Sequence, residues 1–566
     1  MVTSLVPRPD FVLPQMVRHR AEIAPEHHLI EPVGAAPITA SDFHQSVVRL
    51  AHALDGAGIR AGDCVASMLE ASPIAIRAWI ATAWLRAYEV SVNVDFRGSS
   101  LEHALNDSAS RLLITTAGCL ARIAALGDRL SSLELVVVVG GVGDDPCDPG
   151  APLPQPWSPR VTFVSFEEFI ADGEGPEYDG PRESDMYAVN YTSGTTGPAK
   201  GVLRGWAGLH ASLSTVFPND EPDEYENPAI YSPWAMFHSS GRISALAAFQ
   251  TGARLIQRSQ FSLTEFWADV TRSRTTHAML FSVGAKLWQS RSPEWADNTL
   301  RRAFVNPLFP EFDEFSRYFD VRVSTAWGMT EIGLPLSAPS PRDWRSCGRV
   351  VPGYEVRLVD DDDQEVPRGQ SGQLIVRHDR PWHIATRYLG RPEATARAWQ
   401  NGWFHTGDAL REDDEGNFYF VDRMKDYIRV RGHNVSSLEV EREILAHPAV
   451  AECACVGART EEPDGPGEPV TMVGDEEIKV YVVPRDTEFF DPGELFEFVA
   501  ERLPRQMLPR FIEPVDQLPR TPTMKIKKID LRGRPHSVLT WDRYGSPGPA
   551  LGAPPHVTAH GDGTRR

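Results

Sequence analysis

Tyr191-Thr192-Ser193-Gly194-Thr195-Thr196-Gly197-Pro198-Ala199-Lys200-Gly201-Val202 is the stretch on which the reading of this chain turns. It follows the strand-like Met186-Tyr187-Ala188-Val189-Asn190 and packs hydroxyls, three glycines and a lysine into a dozen positions. Glycines let the backbone aim N–H groups at an anion, hydroxyls add hydrogen bonds, and the lysine adds a point charge. A composition of this kind on its own reads as a surface loop. The spacing reads as a phosphate cradle, and one distinct from the G-x-x-x-x-G-K-[ST] loop, because Gly194 and Gly197 stand three apart and Gly201 follows Lys200.

A chain of 566 residues is too long for one core and predicts at least two domains. Its 42% hydrophobic and 24% charged residues are those of a soluble globular protein. A net charge of −20 argues against general binding to nucleic acid or to anionic membranes. An acidic protein that holds a polyphosphate must therefore gather positive charge locally. The chain has only 7 lysines beside 50 arginines, so a lysine marks a position where arginine would not serve. Cys64, Cys119, Cys147, Cys347, Cys453 and Cys455 are scattered without a C-x-x-C, which predicts neither a zinc site nor a disulfide framework and suits a reducing cytoplasm. No secretory signal is expected from Met1–Asp10 and no membrane span from any apolar run.

Outward from the cradle, residues 40–180 alternate helical patterns (Ser41–Ala57, Ala75–Arg86) with strand-like runs (Arg111–Thr115, Leu133–Val139). Residues 230–330 repeat this, with strands at Arg254–Ile256, His277–Phe281 and Val321–Ser324 and a helix over Leu263–Arg274. Both blocks predict α/β structure with parallel strands. From 350 to 422 short strands such as Tyr354–Val359 and Gln373–Arg377 predict a β-rich subdomain, with Asp360–Asp363 as a solvated turn. Beyond Asp422–Asp426 the pattern is α+β: helices over Ser437–Ala446 and Pro492–Leu503, strands over Ala449–Val456 and Glu477–Val483. The expected division is 1–424, 425–540 and a disordered Gly/Pro-rich tail, 541–566.

The cradle and five further motifs, which together span most of the chain from about residue 40 to 532, resemble the adenylate-forming superfamily of acyl-CoA synthetases, adenylation domains and luciferases. The resemblance implies a large N-terminal α/β region with a β-rich subdomain, and a small mobile C-terminal domain. Thr192, Ser193, Gly194, Thr195, Thr196, Gly197 and Lys200 would hold the ATP phosphates. In Ala326-Trp327-Gly328-Met329-Thr330-Glu331, read as a Trp-Gly turn after a strand, Trp327 would stack on adenine, Thr330 would donate to the α-phosphate and Glu331 would hold Mg²⁺. Asp408, in Trp403-Phe404-His405-Thr406-Gly407-Asp408, would accept both ribose hydroxyls. Arg423 would contact the nucleotide, and Lys425 would be the hinge about which the small domain turns. Lys525, in Pro519-Arg520-Thr521-Pro522-Thr523-Met524-Lys525, matches the catalytic lysine that neutralises developing charge, with Met524 where the family has glycine. Met236-Phe237-His238-Ser239-Ser240-Gly241 matches an acyl-pocket motif with His238 as a gate, and Phe237, His238, Phe281, Asn306, Trp327 and Gly333 are the expected lining.

Such a protein would be a ligase of AMP-forming type, joining a carboxylic acid to AMP and then to a thiol, with ATP, Mg²⁺ and coenzyme A as its small-molecule partners and the cytoplasm as its location. Ser346–Val350, Asn434–Ser436, Leu438–Glu441 and Asp475–Lys479 are similar to the crotonobetaine/carnitine–CoA ligase-like branch. They concern the nucleotide and interdomain regions. The pocket candidates offer no carboxylate to pair a quaternary ammonium, so an aromatic, enoic or short acyl acid is expected. The alternatives are an adenylating enzyme with another acceptor, such as a carrier protein, an amine, or an arylamine attacking activated nitrite (a diazotase), and a silent nucleotide-binding protein.

Overall fold

The computed structural model describes residues 12–140, 157–171, 175, 178–192, 199–216, 227–281, 283–430, 433–458, 476–487, 489–503, 505–520 and 525–545, with the backbone alone at Thr192, Ser214, Lys425, Arg429, His433, Asn434 and Gln506. It divides into two bodies, Met1–Thr406 with Leu410–Phe420, and Gly407–Ala409 with Val421–Arg566.

In the first body the alternating blocks become two sheets. One has eight strands, and six of them run parallel: Met186–Thr192, Tyr88–Ser91, Cys64–Met68, Leu112–Thr116, Leu135–Val139 and Thr162–Ser165. Leu112–Ile114 and Leu135–Val139 are the unbroken apolar runs that strands covered on both faces require. Lys200–Gly205 and Arg387–Tyr388 extend this sheet antiparallel beyond Met186–Thr192. The other sheet begins with a parallel run: His28–Pro32, Arg254–Gln257, Ala229–Ser232, His277–Phe281, Arg302–Asn306 and Arg322–Met329. It then turns antiparallel through Gly333–Ala338 and Ser346–Val350, and the β-rich part expected from residue 350 onward follows, including the pair Tyr354–Val359 and Ser371–His378.

The helices carry the signals that start them. Thr39 Oγ1 accepts from Asp42 N at the head of Ala40–Gly56, which buries Phe43, Val47, Leu50 and Leu54. Ser72 does the same for Pro73–Trp84, whose Trp79 stacks on Trp206 with ring centroids 5.3 Å apart and donates Nε1–H to Tyr187 O at 2.7 Å. In this core Arg242 and Glu89 form an ion pair with neither side chain more than 1% exposed, and Ser67 Oγ–H donates to the same carboxylate.

One expectation is corrected here. The strand read as Val321–Ser324 continues to Met329, so Trp327 and Gly328 lie within it and the turn comes at Thr330–Ile332. Pairing with Gly333–Ala338 sets this, since Trp327 stands opposite Leu336 and Met329 opposite Gly333.

The second body packs the helices Ser437–Leu445 and Pro492–Ala500 with a sheet of Val450–Ala458, Glu477–Pro484, Phe511–Pro514 and Trp541–Asp542. Trp541–Asp542 pairs with Phe511–Ile512, so residues 541–545 belong to the folded body, whereas the tail reading placed them outside it. Residues 546–566 lie outside the described residues, as do Cys147 and Met524. The described cysteines are all free thiols, and Cys453 and Cys455 are buried strand residues. No described helix is long and apolar enough to cross a membrane.

Candidate active site

Thr192 and Lys200 face each other as the last pair of an antiparallel ladder, so the two strands they end form a hairpin. Ser193, Gly194, Thr195, Thr196 and Gly197 lie outside the described residues. Both ends of that hairpin are held by one helix, Gly98–Asp107. His103 Nε2 lies 2.8 Å from Ala199 O, and Asp107 accepts from Tyr191 Oη–H at 2.9 Å and from Arg391 at 2.6 Å.

Lys200 projects to Tyr388, its Nζ standing 4.9 Å from the ring centroid. Tyr388 is paired with Val202 in the neighbouring strand, and its hydroxyl donates to Glu331 Oε1 at 3.0 Å. Lys200 and Glu331, expected to serve the phosphates and the metal, are thus joined through a residue the sequence reading passed over. Tyr388 carries no charge and sits in an ordinary Tyr-Leu-Gly-Arg-Pro turn, so nothing local marked it. Burial first, and then the Glu331 carboxylate, push the Tyr388 phenol well above its usual pKa and keep it a proton donor.

Glu331 is 5% exposed and follows Thr330 in the turn that ends the Trp327 strand. Gly333 closes this turn at φ +75°, and a Cβ there would stand 2.2 Å from Arg204 Nη2 and 2.9 Å from Tyr354 Oη. Tyr354 Oη–H donates to Ile332 O at 2.7 Å, while Arg204 donates to His383 O and Ser212 Oγ, each at 3.0 Å. The turn therefore rests on a fixed polar backing. Among the described residues no cluster of three or more His, Cys, Asp or Glu could hold a metal by itself. A single buried carboxylate still fits magnesium, which takes one or two carboxylates and fills its remaining positions with phosphate oxygens and water.

The acyl-pocket candidates gather at the carboxyl ends of the parallel strands, where open α/β sheets bind ligands. Phe281 and Asn306 are register partners that end adjacent strands. Asn306 Nδ2 donates to Ala326 O at 2.8 Å, placing its amide beside Trp327. Phe281 packs edge-on against Trp234 at 5.5 Å and tilted against Phe304 at 5.7 Å. Trp234, a second residue missed from sequence, follows the strand Ala229–Ser232 and donates Nε1–H to Met279 O at 2.9 Å. His238 is the N-cap residue of Ser239–Thr251, with its ring 4.6 Å from that of Phe237. A Cβ at Gly241 would meet Ala235 O at 2.5 Å, which accounts for the glycine three positions after the histidine. A separate cavity of about 500 Å³ lies beside Tyr388, lined by Arg387, Arg391, Pro392 and Trp399 among others, and by none of the expected acyl-pocket residues.

In the second body the structure groups Asp408, Arg423 and Lys525. Asp408 is buried and its Oδ1 lies 3.4 Å from Arg423 Nε. Lys525 is an exposed residue, yet its ammonium pKa falls below the usual lysine value because the surrounding protein withholds water and Arg423 repels it, with Asp408 pulling the other way. The Lys425 backbone lies in the short 3₁₀ turn Met424–Asp426, and its side chain lies outside the description.

Comparison with known proteins fits this layout. The family model for AMP-binding enzymes matches residues 17–389, and that for the AMP-binding enzyme C-terminal domain matches 439–525. Crotonobetaine/carnitine–CoA ligases of Salmonella agona and Citrobacter koseri are 28% and 29% identical over 509 and 510 residues, each covering 87% of this chain and 92% of the relative. An anthranilate CoA ligase in complex with anthranoyl-AMP superposes with TM-score 0.75 at 22% identity, over 93% of this chain and 97% of its own. The o-succinylbenzoate coenzyme A synthetase of Bacillus subtilis, in complex with ATP and a magnesium ion, gives 0.73 at 22%, over 90% and 98%.

Proposed function

The chain belongs to the AMP-binding enzyme family, and on that premise we propose that it is an AMP-forming acid–CoA ligase working in the cytoplasm on an aromatic or short apolar acid. The acid's carboxylate oxygen attacks the α-phosphorus of ATP, the bond to the bridging oxygen breaks and pyrophosphate leaves. The thiol of coenzyme A then attacks the acyl carbon, and AMP leaves with the C–O bonding pair. The protein's part is to position the reactants and neutralise charge. Lys200 and the hairpin it closes hold the β- and γ-phosphates, Thr330 donates to the α-phosphate, and Trp327 offers a face for adenine. Asp408 accepts from the ribose hydroxyls beside Arg423, and Lys525 offsets charge developing at the carboxylate and α-phosphorus. Glu331 would hold magnesium, which supplies Lewis-acid charge neutralisation at the phosphates.

The observation that carries this reading is the Lys200–Tyr388–Glu331 chain, which sets a cation and a magnesium-competent carboxylate on one aromatic side chain. The acid's class is supported by the aromatic rings of Trp234 and Phe281 near the strand ends. No carboxylate stands among the pocket candidates, which favours an uncharged aromatic or short acyl body over a quaternary ammonium. The test is a panel of acids followed by pyrophosphate and AMP release, with and without CoA. The expected result is acid-dependent pyrophosphate release and CoA-dependent AMP release, with Lys525→Ala slowing the first about 10²–10³-fold. Release that requires nitrite and an arylamine, or a carrier protein in place of CoA, would replace the acceptor assigned here.

A further inference from the structure

Three of the chain's seven lysines fall within four positions, Lys525, Lys527 and Lys528. The structure gives each a different setting. Lys527 makes an exposed pair with Asp530 at 2.8 Å. Lys528 is turned inward, with its side chain 12% exposed, and its Nζ reaches Ser437 Oγ at 2.6 Å and Glu441 Oε1 at 2.8 Å. Glu441 Oε1 also accepts from Cys455 N at 2.6 Å, tying the pair to the sheet. Burial pulls the Lys528 ammonium down, and the Glu441 carboxylate more than offsets it, leaving the lysine more firmly protonated than usual.

The bonds continue toward the nucleotide residues. Ser437 Oγ–H donates to Asp422 Oδ2 at 2.7 Å, and Asp422 Oδ1 accepts the backbone N–H of Arg423 at 2.7 Å. Asp422 Oδ2 also takes Ser436 Oγ–H at 3.2 Å and Leu438 N–H at 3.3 Å, which caps the helix Ser437–Leu445. One hydrogen-bonded path therefore runs from Lys528, through Ser437 and Asp422, to Arg423, a charge that acts on the Lys525 ammonium. At the other end Arg520 bridges to Ile526, whose side chain packs on the cluster about Tyr481 and Leu531, and Lys527 N donates to Pro519 O at 2.8 Å, so the backbone that follows Lys525 is held at Ile526 and Lys527 and anchored inward by Lys528.

We propose that Lys528 is a positioning residue for adenylation: its ammonium, locked between Ser437 and Glu441, fixes the backbone that follows Lys525 in the same frame as Arg423 and Asp408. This rests on the assignment of Lys525 to the adenylation step. A misplacement of about 1 Å at a reacting group can cost ~10²-fold, so release of this anchor acts on the half-reaction that uses Lys525 and spares the other.

The experiment compares Lys528→Met, Lys528→Arg, Lys527→Met and Lys525→Ala in the full-length enzyme with an accepted acid. ATP–pyrophosphate exchange reports adenylation, and thioester formation from presynthesised acyl-adenylate and CoA reports the second step. Lys528→Met is expected to slow exchange about 10- to 100-fold while thioester formation stays within about threefold, with exchange largely restored in Lys528→Arg and normal in Lys527→Met. If Lys528→Met does not fold, Lys528→Met/Glu441→Gln, which removes both buried charges, takes its place with the same expectation. Equal losses in both half-reactions, or unchanged exchange, overturn the proposal. Unchanged exchange in Lys525→Ala would overturn the assignment beneath it, whereas lost exchange in Lys525→Ala beside normal exchange in Lys528→Met would overturn the positioning role alone.

Discussion

Tyr388 carries a proton to Glu331 on one end and a face to Lys200 on its ring, so its hydroxyl and its ring can be tested apart. Tyr388→Phe keeps the ring and removes the O–H. The Glu331 carboxylate is then held by one partner fewer in a buried site, a loss of about 1–3 kcal/mol when a buried acceptor is left short. The expected outcome is a rise in KM for MgATP and a fall in kcat/KM of roughly tenfold, with KM for the acid little changed. Steady-state kinetics in each substrate checks this, and an equal change in both KM values would place Tyr388 in general packing instead. At this scale the sequence was legible where chemistry is charged. Lys200 stood out because lysine is scarce, and Glu331 because Trp-Gly-Met-Thr-Glu resembles a family motif. Tyr388 and Trp234 did not, because an uncharged aromatic looks the same in sequence whether it supports a site or fills a core, and for Tyr388 the contacts with Lys200 and Glu331 separate the two.

At the scale of elements, alternation of helical and strand-like runs was enough to place half of the described parallel strands, and His277–Phe281 and the antiparallel Tyr354–Val359 agree end for end. Failures came where tertiary pairing decides. The Trp327–Gly328 segment reads as a turn because Gly follows an aromatic, yet a Cβ at Gly328 would lie 1.8 Å from Gly333 O, so this glycine serves close strand approach. Trp541–Asp542 reads as the edge of a tail because its neighbours are polar and glycine-rich, and it becomes a strand through Phe511–Ile512. The hairpin that carries Glu331 gives the sharpest test of an element. Gly333→Ala asks a residue with a Cβ to hold φ +75° and to displace the Arg204 guanidinium, itself bonded to His383 O and Ser212 Oγ. Backbone strain of this kind costs on the order of 1–3 kcal/mol, and disturbing a buried charged donor adds to it. Thermal unfolding of Gly333→Ala should therefore begin several degrees lower, with a rise in KM for MgATP from the shifted Glu331. A variant as stable as the parent would show that the turn can relax away from Arg204.

Across the whole molecule acidic residues outnumber basic ones to a net charge of −20, and the histidines follow a separate logic. His210, His277 and His378, all in the first body, are held down to about 4 chiefly by burial. Arg302 adds repulsion at His277, and His383, stacked at 4.1 Å, adds it at His378, where Asp379 partly opposes it. The unfolded chain takes up these protons near pH 6.5, while the folded body refuses them until about pH 4. Between those values the unfolded state binds more protons, so stability rises with pH across this window and is lost as pH falls through it. Three aspartates act elsewhere: Asp185 and Asp363 are held below their ordinary value by hydrogen bonds and cationic partners, and Asp413 by hydrogen bonds alone, so their contribution is lost only as pH falls below about 4. The expected record is a melting temperature that declines from about pH 6.5 to about pH 4, ahead of the carboxylate-driven collapse, with each of these three half-buried histidines contributing to the slope. His378→Gln, which cannot take up the proton, should flatten part of that decline. A melting temperature constant down to pH 4.5 would mean that these imidazoles reach water in the folded state, and the burial that defines the first body's core would have to be redrawn around them.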